Sequence, residues 1–326
     1  MYRKCAKEGG GLFANLLFSL NMVLPIFLIL VAGGLMRKFH VISEDFVKTG
    51  NSLVFHYTLP AGLFLGVYNS DLTQVFDAKF VLFAVGVTLV SFAVVWILAE
   101  VFVKDKAVIG TLVQGSVRGN FAIMGMPLLA NLVGQENSVK GVLVLTFVVP
   151  LYSAFSIVAL SARSGSPKKV NALGLLKAVF SNRMIIGILL GTAFAFLRVP
   201  LPVVVTKPVE YIAALTTPLS LICLGGSINL KERGTKLTLA AVASALKVVI
   251  FPLIYLPLAY ALGFRGEDLL TLLVMLGVPT AIASYAMAIE MKGDHTIAST
   301  TIVMTTMLSA FTLTLFIYAF KSMGLM

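Results

Sequence analysis

Apolar runs of roughly 20 residues, the length at which a helix crosses a bilayer, recur from one end of this sequence to the other. Hydrophobic residues make up 59% of the 326, and charged residues only 12%, about half the charged share of an ordinary soluble domain. Ten spanning helices are predicted, at 16–37, 46–68, 79–103, 107–132, 138–162, 183–199, 208–229, 237–263, 268–291 and 295–320. Charged or turn-rich stretches such as YNSDLTQ and GFRGED separate them. The fold class that follows is an all-α polytopic membrane protein, with the lipid bilayer as its surroundings.

The formal net charge of +11 does not mark a nucleic-acid binder, because the basic residues fall between apolar runs rather than in one patch. Positive residues in such places hold loops in the cytoplasm. Loops after helices 1, 3, 5, 7 and 9 carry 14 Lys and Arg, against 6 in the loops after helices 2, 4, 6 and 8 and the C-terminal tail. The first set is therefore expected in the cytoplasm and both termini outside. Arg3, Lys4 and Lys7 run against that assignment, and a natural start at Met22 would remove the conflict. A signal peptide is the other reading of MYRKCAKEGGG, but the apolar run that follows is long for one.

Catalytic and metal chemistry lack a visible basis. Cys5 and Cys223 have no metal-ligand company, His40, His56 and His295 lie far apart, and neither an HExxH nor a Walker-type motif is present. No enzyme activity, cofactor or metal is expected.

The two halves of the chain resemble each other. TLPAGLFLGVYNSDL (58–72) aligns without gaps on TTPLSLICLGGSINL (216–230), GNFAIMGMPLLANLVG (119–134) on VPTAIASYAMAIEMKG (278–293), and SAF recurs at 153–155 and 309–311. The shifts, 158, 159 and 156 residues, are nearly constant. With five helices per half, the second copy must insert upside down. The expected organisation is an N-terminal repeat (1–162), a basic cytoplasmic linker (163–182) and a C-terminal inverted repeat (183–326). Inverted repeats are the architecture of secondary transporters, with the substrate at their interface near mid-bilayer.

That interface is where the sequence is least helix-like. Gly119, Gly125 and Pro127 in helix 4, and Pro279 in helix 9, remove or weaken helical hydrogen bonds. An exposed break in hydrocarbon costs several kcal/mol per backbone group, so it survives only in protein or beside a wet cavity. Two mirrored breaks predict interrupted, crossed helices 4 and 9, whose half-helix N-termini suit a carboxylate. The alternative is that the small residues merely permit close packing. Asn120 is the leading substrate ligand, since its amide both donates and accepts. Arg118, costly at mid-bilayer, either binds an anion or braces unwound carbonyls. Gly119, Pro279, Thr280, Ser284 and Tyr285 complete the candidate site, though helix hydroxyls commonly bond back to their own carbonyls. Lys247 is a deep cation that serves as countercharge, as a proton- or sodium-mimicking group, or as a salt-bridge partner for a carboxylate such as Glu290. His56 in helix 2 is read as a hydrogen-bonded packing residue or a proton carrier, and Asn51 on the same helix has an open role.

RGNFAIMGMPLL (118–129), with Gly134 after it, resembles the helix-4 signature of the auxin efflux carrier family, which includes the plant PIN carriers and bacterial malate and malonate permeases. VLPIFLILVAGGLMRK (23–38), TLPAGLFLGV (58–67), TTPLSLICLGGSI (216–228) and VPTAIASYAMAIEMKGD (278–294) are similar to other segments of that family, in the same order. The resemblance implies a scaffold of helices 1, 2, 6 and 7, and a mobile transport domain of helices 3–5 and 8–10. It implies elevator-like movement of a small organic anion, with Asn120 at the substrate carboxylate and Pro279 at the partner crossover. The short central loop and Arg118 depart from the plant carriers and favour a compact permease of a bacterial inner membrane. H+ or Na+ is the candidate coupling ion, and a homodimer the candidate assembly. A sodium-coupled symporter of the bile-acid type is the alternative within transport; a membrane sensor or enzyme is the alternative outside it.

Overall fold

The computed structural model describes residues 12–69, 76–134, 139–162, 183–227 and 235–325. The chain start, the 163–182 linker and the side chain of Glu290 lie outside the described residues. What is described is all-helical. Helix α1 is Leu12–Lys38, α2 covers 44–68, and α3 is Ala78–Phe102. Next come α4a (Ile109–Val117), α4b (Phe121–Val133), α5 (139–161) and α6 (Arg183–Phe196). The remaining helices are α7 (203–227), α8 (235–261), α9a (Gly266–Gly277), α9b (Ala283–Glu290) and α10 (His295–Ser322).

Among the described residues, five continuous helices are long and apolar enough to cross a membrane: Ala78–Phe102, Lys140–Ser161, Val203–Ser227, Lys236–Ala261 and His295–Ser322. Their outward faces are bare hydrocarbon, as with Leu82, Ile97 and Phe311, which are 71%, 62% and 76% exposed. Only lipid makes such a surface favourable.

Boundaries moved where prolines act. Expected to start at 208, α7 begins at Val203, because Pro202 at its N-cap sets the extended entry and Pro208 is tolerated inside. Expected to reach 199, α6 stops at Phe196, and Arg198 follows at φ 50°. Prolines also explain a feature the sequence reading did not foresee. π-helical turns occupy Val54–Thr58, Phe121–Gly125, Val144–Val148 and Leu246–Ile250. Each ends two residues before a proline: Pro60, Pro127, Pro150 and Pro252. A proline ring clashes with the carbonyl four residues back and takes no part as a donor, and a wider turn just ahead of it relieves that clash.

Glycines let the helices touch through their backbones. A Cβ on Gly33 of α1 would lie 2.2 Å from Ile222 O of α7, and one on Gly191 of α6 would lie 2.6 Å from Phe64 O of α2. From Gly33 to Gly191, and from Phe64 to Ile222, the shift is 158 residues in both cases, the shift of the sequence alignment. Gly33→Ala is therefore expected to destabilise the protein by about 1–3 kcal/mol through overpacking. Gly66→Ala, where a Cβ meets nothing within 4 Å, should be neutral or slightly stabilising. Thermal unfolding of the two purified variants checks this contrast.

Helices α1, α2, α6 and α7 pack mainly on one another, and α3, α4a, α5, α8, α9a and α10 form a second group. The groups meet where α1 touches α10 and α4b, and where α7 touches the start of α4b. Ion pairs tie helix starts together within the second group. Lys140 at the start of α5 bonds Asp77 (2.8 Å) before α3 and Asp268 (3.1 Å) in α9a. The Lys140 ammonium holds the Asp77 carboxyl below its usual range, helped by the Phe80 N–H that Asp77 accepts as helix cap. Lys236 in α8 bonds Asp294 (2.6 Å), the cap of α10, whose N–H donates to Thr111 Oγ1 in α4a.

Candidate functional site: the crossing of two interrupted helices

Helix 4 breaks at Arg118–Asn120 and helix 9 at Val278–Ile282, and the two breaks meet. Gly119 and Thr280 form an antiparallel bridge. The Asn120 N–H donates to Pro279 O at 2.8 Å, and the Ala281 N–H donates to Arg118 O at 3.0 Å. Each unwound segment thus supplies backbone partners for the other, as buried backbone in a dry interior requires. The segments 107–132 and 268–291, expected to be interrupted, are two half-helices apiece.

Proline dictates the direction of this exchange. Pro279 has a carbonyl but no N–H, so it can only accept, and it accepts from Asn120. Gly119 is needed for closeness: a Cβ there would lie 3.2 Å from Met275 O, 3.2 Å from Val278 Cγ2 and 3.3 Å from Lys247 Nζ. Gly125 and Pro127, expected at the break, lie past it. Pro127 follows the π turn that opens α4b, and Gly125 makes room for the ring of Phe121, whose Cδ2 would be 2.6 Å from a Cβ.

Polar groups at the crossing are held without ordinary partners. Asn120 is 4% exposed, and its Nδ2 has no hydrogen-bond partner. Arg118, 5% exposed, directs Nη1 at the Met287 sulfur in α9b, a soft and weak acceptor, and pairs with no carboxylate among the described residues. Ser284 Oγ, fully buried in α9b, is also unpartnered. Electrostatics here are those of four half-helix ends. The C-terminal ends of α4a and α9a bring partial negative charge, and the starts of α4b and α9b partial positive charge.

Other candidates are placed differently. Thr280 is committed: its hydroxyl donates to Gly115 O at 2.6 Å and its N–H to Thr305 Oγ1 at 3.1 Å. Tyr285 is 37% exposed, since one residue along a helix turns it away from the buried face of Ser284. His56 shares a 3.0 Å bond with Ser52 Oγ on an exposed part of α2, and Asn51 Nδ2 lies 3.5 Å from Ser227 Oγ. None of these bonds joins the crossing. Lys247 donates to backbone carbonyls, Leu276 O at 2.5 Å and Met275 O at 3.4 Å; the side chain of Glu290, one expected salt-bridge partner, lies outside the described residues.

Several site residues went unrecognised in the sequence. Gln114, one turn before Arg118, donates Nε2 to Ser284 O at 3.0 Å and leaves Oε1 unpartnered. Thr301, Thr305 and Ser309 form a buried stripe on α10, and Thr305 receives the Thr280 N–H. The available signal was their four-residue spacing in STTIVMTTMLSAF, which lines one helical face.

Half-helices that cross at buried unwound segments are a geometry of secondary carriers, and the family comparison agrees. The membrane transport protein family model matches residues 18–317. The chain belongs to this family, that of the auxin efflux carriers. An uncharacterized transporter of Methanothermobacter thermautotrophicus is 24% identical over 91% of this chain and 97% of its own. A Rhizobium meliloti protein named "Putative malonate transporter" is 26% identical over 93% and 96%. An uncharacterized transporter of Escherichia coli is 24% identical over 84% and 88%. Family and relatives are transporters rather than enzymes. This member is accordingly a multi-pass integral membrane transporter.

Proposed function

We propose that the protein is a secondary carrier of a small organic anion, a mono- or dicarboxylate such as malonate or malate, held at the crossing by Asn120 and Arg118. One observation carries the reading. Among the described residues, a buried guanidinium that meets a thioether and a buried amide N–H with no acceptor together form a donor set suited to an anion. Leaving such groups unmet costs about 1–3 kcal/mol each, more for the charge. Arg118 is extended (φ −69°, ψ 103°) at the end of α4a, and Asn120, two residues on, stands at φ −83°, ψ 49° where α4b begins. A carboxylate would receive the Asn120 amide and the α4b N-terminus, and a second carboxylate the Arg118 fork. The name of the Rhizobium meliloti relative favours a dicarboxylate.

The architecture proposed around this site is ten spans in two inverted five-helix repeats, 1–162 and 183–326, joined by a cytoplasmic linker at 163–182. Supporting it are the shared 158-residue shift of the Gly33–Ile222 and Gly191–Phe64 contacts and the two ion-pair clusters. One cluster joins α3, α5 and α9a, the other α8, α10 and α4a, which are the helices the repeats equate. The packing of α1, α2, α6 and α7 apart from the rest supports a fixed scaffold and a moving transport domain. Movement of the second group past the first would expose the crossing to either side, in the inner membrane of the cell. A cysteine placed in 163–182 of a cysteine-free variant should resist impermeant maleimide added outside cells and react after permeabilisation. Ready labelling from outside would invert the topology. Binding is tested by malonate-dependent thermal stabilisation of purified protein, with counterflow in proteoliposomes for transport; absence of both across mono- and dicarboxylates would refute the carboxylate reading.

A further inference from the structure

Helix α9a ends inside the protein, and its last carbonyls have no intrahelical donors. The Val278 N–H satisfies Val274 O at 3.0 Å. The next two carbonyls, Met275 O and Leu276 O, take the Lys247 ammonium instead. Lys247 is 2% exposed, and among the described residues no carboxylate reaches it. It projects from the π turn Leu246–Ile250 ahead of Pro252 in α8, and the missing side chain of Gly119 leaves space beside its Nζ. The ammonium therefore touches both interrupted helices, at the carbonyl end of one and the bridge strand of the other.

In carriers built on interrupted helices, unwound carbonyls and half-helix C-terminal ends are the ligands of a coupling cation. Here those ligands are already taken by an amino group tethered to the chain. Nor do the described residues contain a group of three or more His, Cys, Asp or Glu that could hold a metal ion. At the corresponding end of α4a, a neutral group does the capping, the Thr280 hydroxyl on Gly115 O. We infer that Lys247 is the built-in cation of the crossing, standing where a coupling sodium ion would bind, so that substrate binding and transport are independent of sodium. This inference rests on the carrier reading above. With Arg118, it gives the crossing two tethered basic groups, which suit a dicarboxylate dianion. Gly119, the residue between Arg118 and Asn120, is then sterically necessary: it lets the substrate-binding segment lie against the ammonium.

The test uses purified full-length protein in detergent, with thermal midpoints in sodium, potassium and choline chloride at equal ionic strength. Wild type is expected to show the same midpoint in all three. Lys247→Ala should unfold roughly 5 °C lower and recover at least half of that loss in millimolar methylammonium, which can refill the vacated ammonium position. Lys247→Arg should keep most of the stability in every salt. These readings need no carboxylate, so they stand apart from failure of the carboxylate reading. Malonate affinity of wild type should then agree within about twofold between sodium and choline. A sodium-specific rise of several degrees in the wild-type midpoint, or a tenfold gain of malonate affinity in sodium, would overturn the inference. So would a Lys247→Ala protein as stable as wild type. Should Lys247→Ala not be recovered folded, the wild-type ion series and Lys247→Arg decide the matter.

Discussion

Arg118→Gln should weaken binding of a dicarboxylate by about ten- to a hundredfold, while a monocarboxylate loses less than about threefold. The size follows from hydrogen bonds to charged groups, worth about 1.5–3 kcal/mol, at 1.4 kcal/mol per tenfold. Glutamine keeps an amide donor and much of the length but loses the charge and the planar fork that grips a carboxylate at two points. Selectivity is what distinguishes binding from bracing. Arg118 stands at the C-terminal end of α4a, where any cation is favoured, and it touches Met287 across the crossing. If it only braced α4a against α9b, both substrate classes would weaken together and the thermal midpoint would fall. Competition between malonate and acetate against a radiolabelled substrate, with unfolding measured alongside, separates the outcomes.

Asn120→Ala should reduce transport to background and leave the thermal midpoint unchanged or raised. The crossing is held by the Asn120 backbone, whose N–H reaches Pro279 O and whose carbonyl accepts from Met124 and Gly125; alanine retains all of these. Its side-chain Nδ2 has no partner to lose, and deleting an unsatisfied buried donor relieves a desolvation penalty. Function and stability are thus predicted to move in opposite directions, as expected of a group kept for its ligand. Asn120→Asp would place a negative charge where the anion binds and should be inactive as well. Normal transport by Asn120→Ala in proteoliposomes would remove this side chain from the site.

How much of this was legible beforehand depends on the range of the interaction. Residues that act through their own backbone were readable: Gly119 and Pro279 weaken or remove helical hydrogen bonds, and both lie at the breaks. Pro127 was read as a break as well, but a proline can also be absorbed by a π turn, and α4b does so. Which of these happens depends on what surrounds the turn. Tyr285 and Ser284 are adjacent in sequence, yet one is exposed and the other buried, because the helix after the break turns a particular face inward. Lys247 was recognised as a deep cation, with a carboxylate as one expected partner. Its partners are carbonyls, and only a helix that ends in mid-protein offers carbonyls to a lysine.

By itself, then, the sequence determined that the chain is helical and membrane-embedded, that two of its helices break, and which family it resembles. Run length, hydropathy and proline geometry are local properties that a chain carries wherever it folds. Only the tertiary structure decided which polar groups answer one another. Gln114 meets Ser284 across 170 residues, Thr280 meets Gly115 across 165, and Lys247 meets Leu276 across 29. In a medium without water each buried donor must find an acceptor inside the protein. Helix packing chooses those partners, and it leaves Asn120 Nδ2 without one.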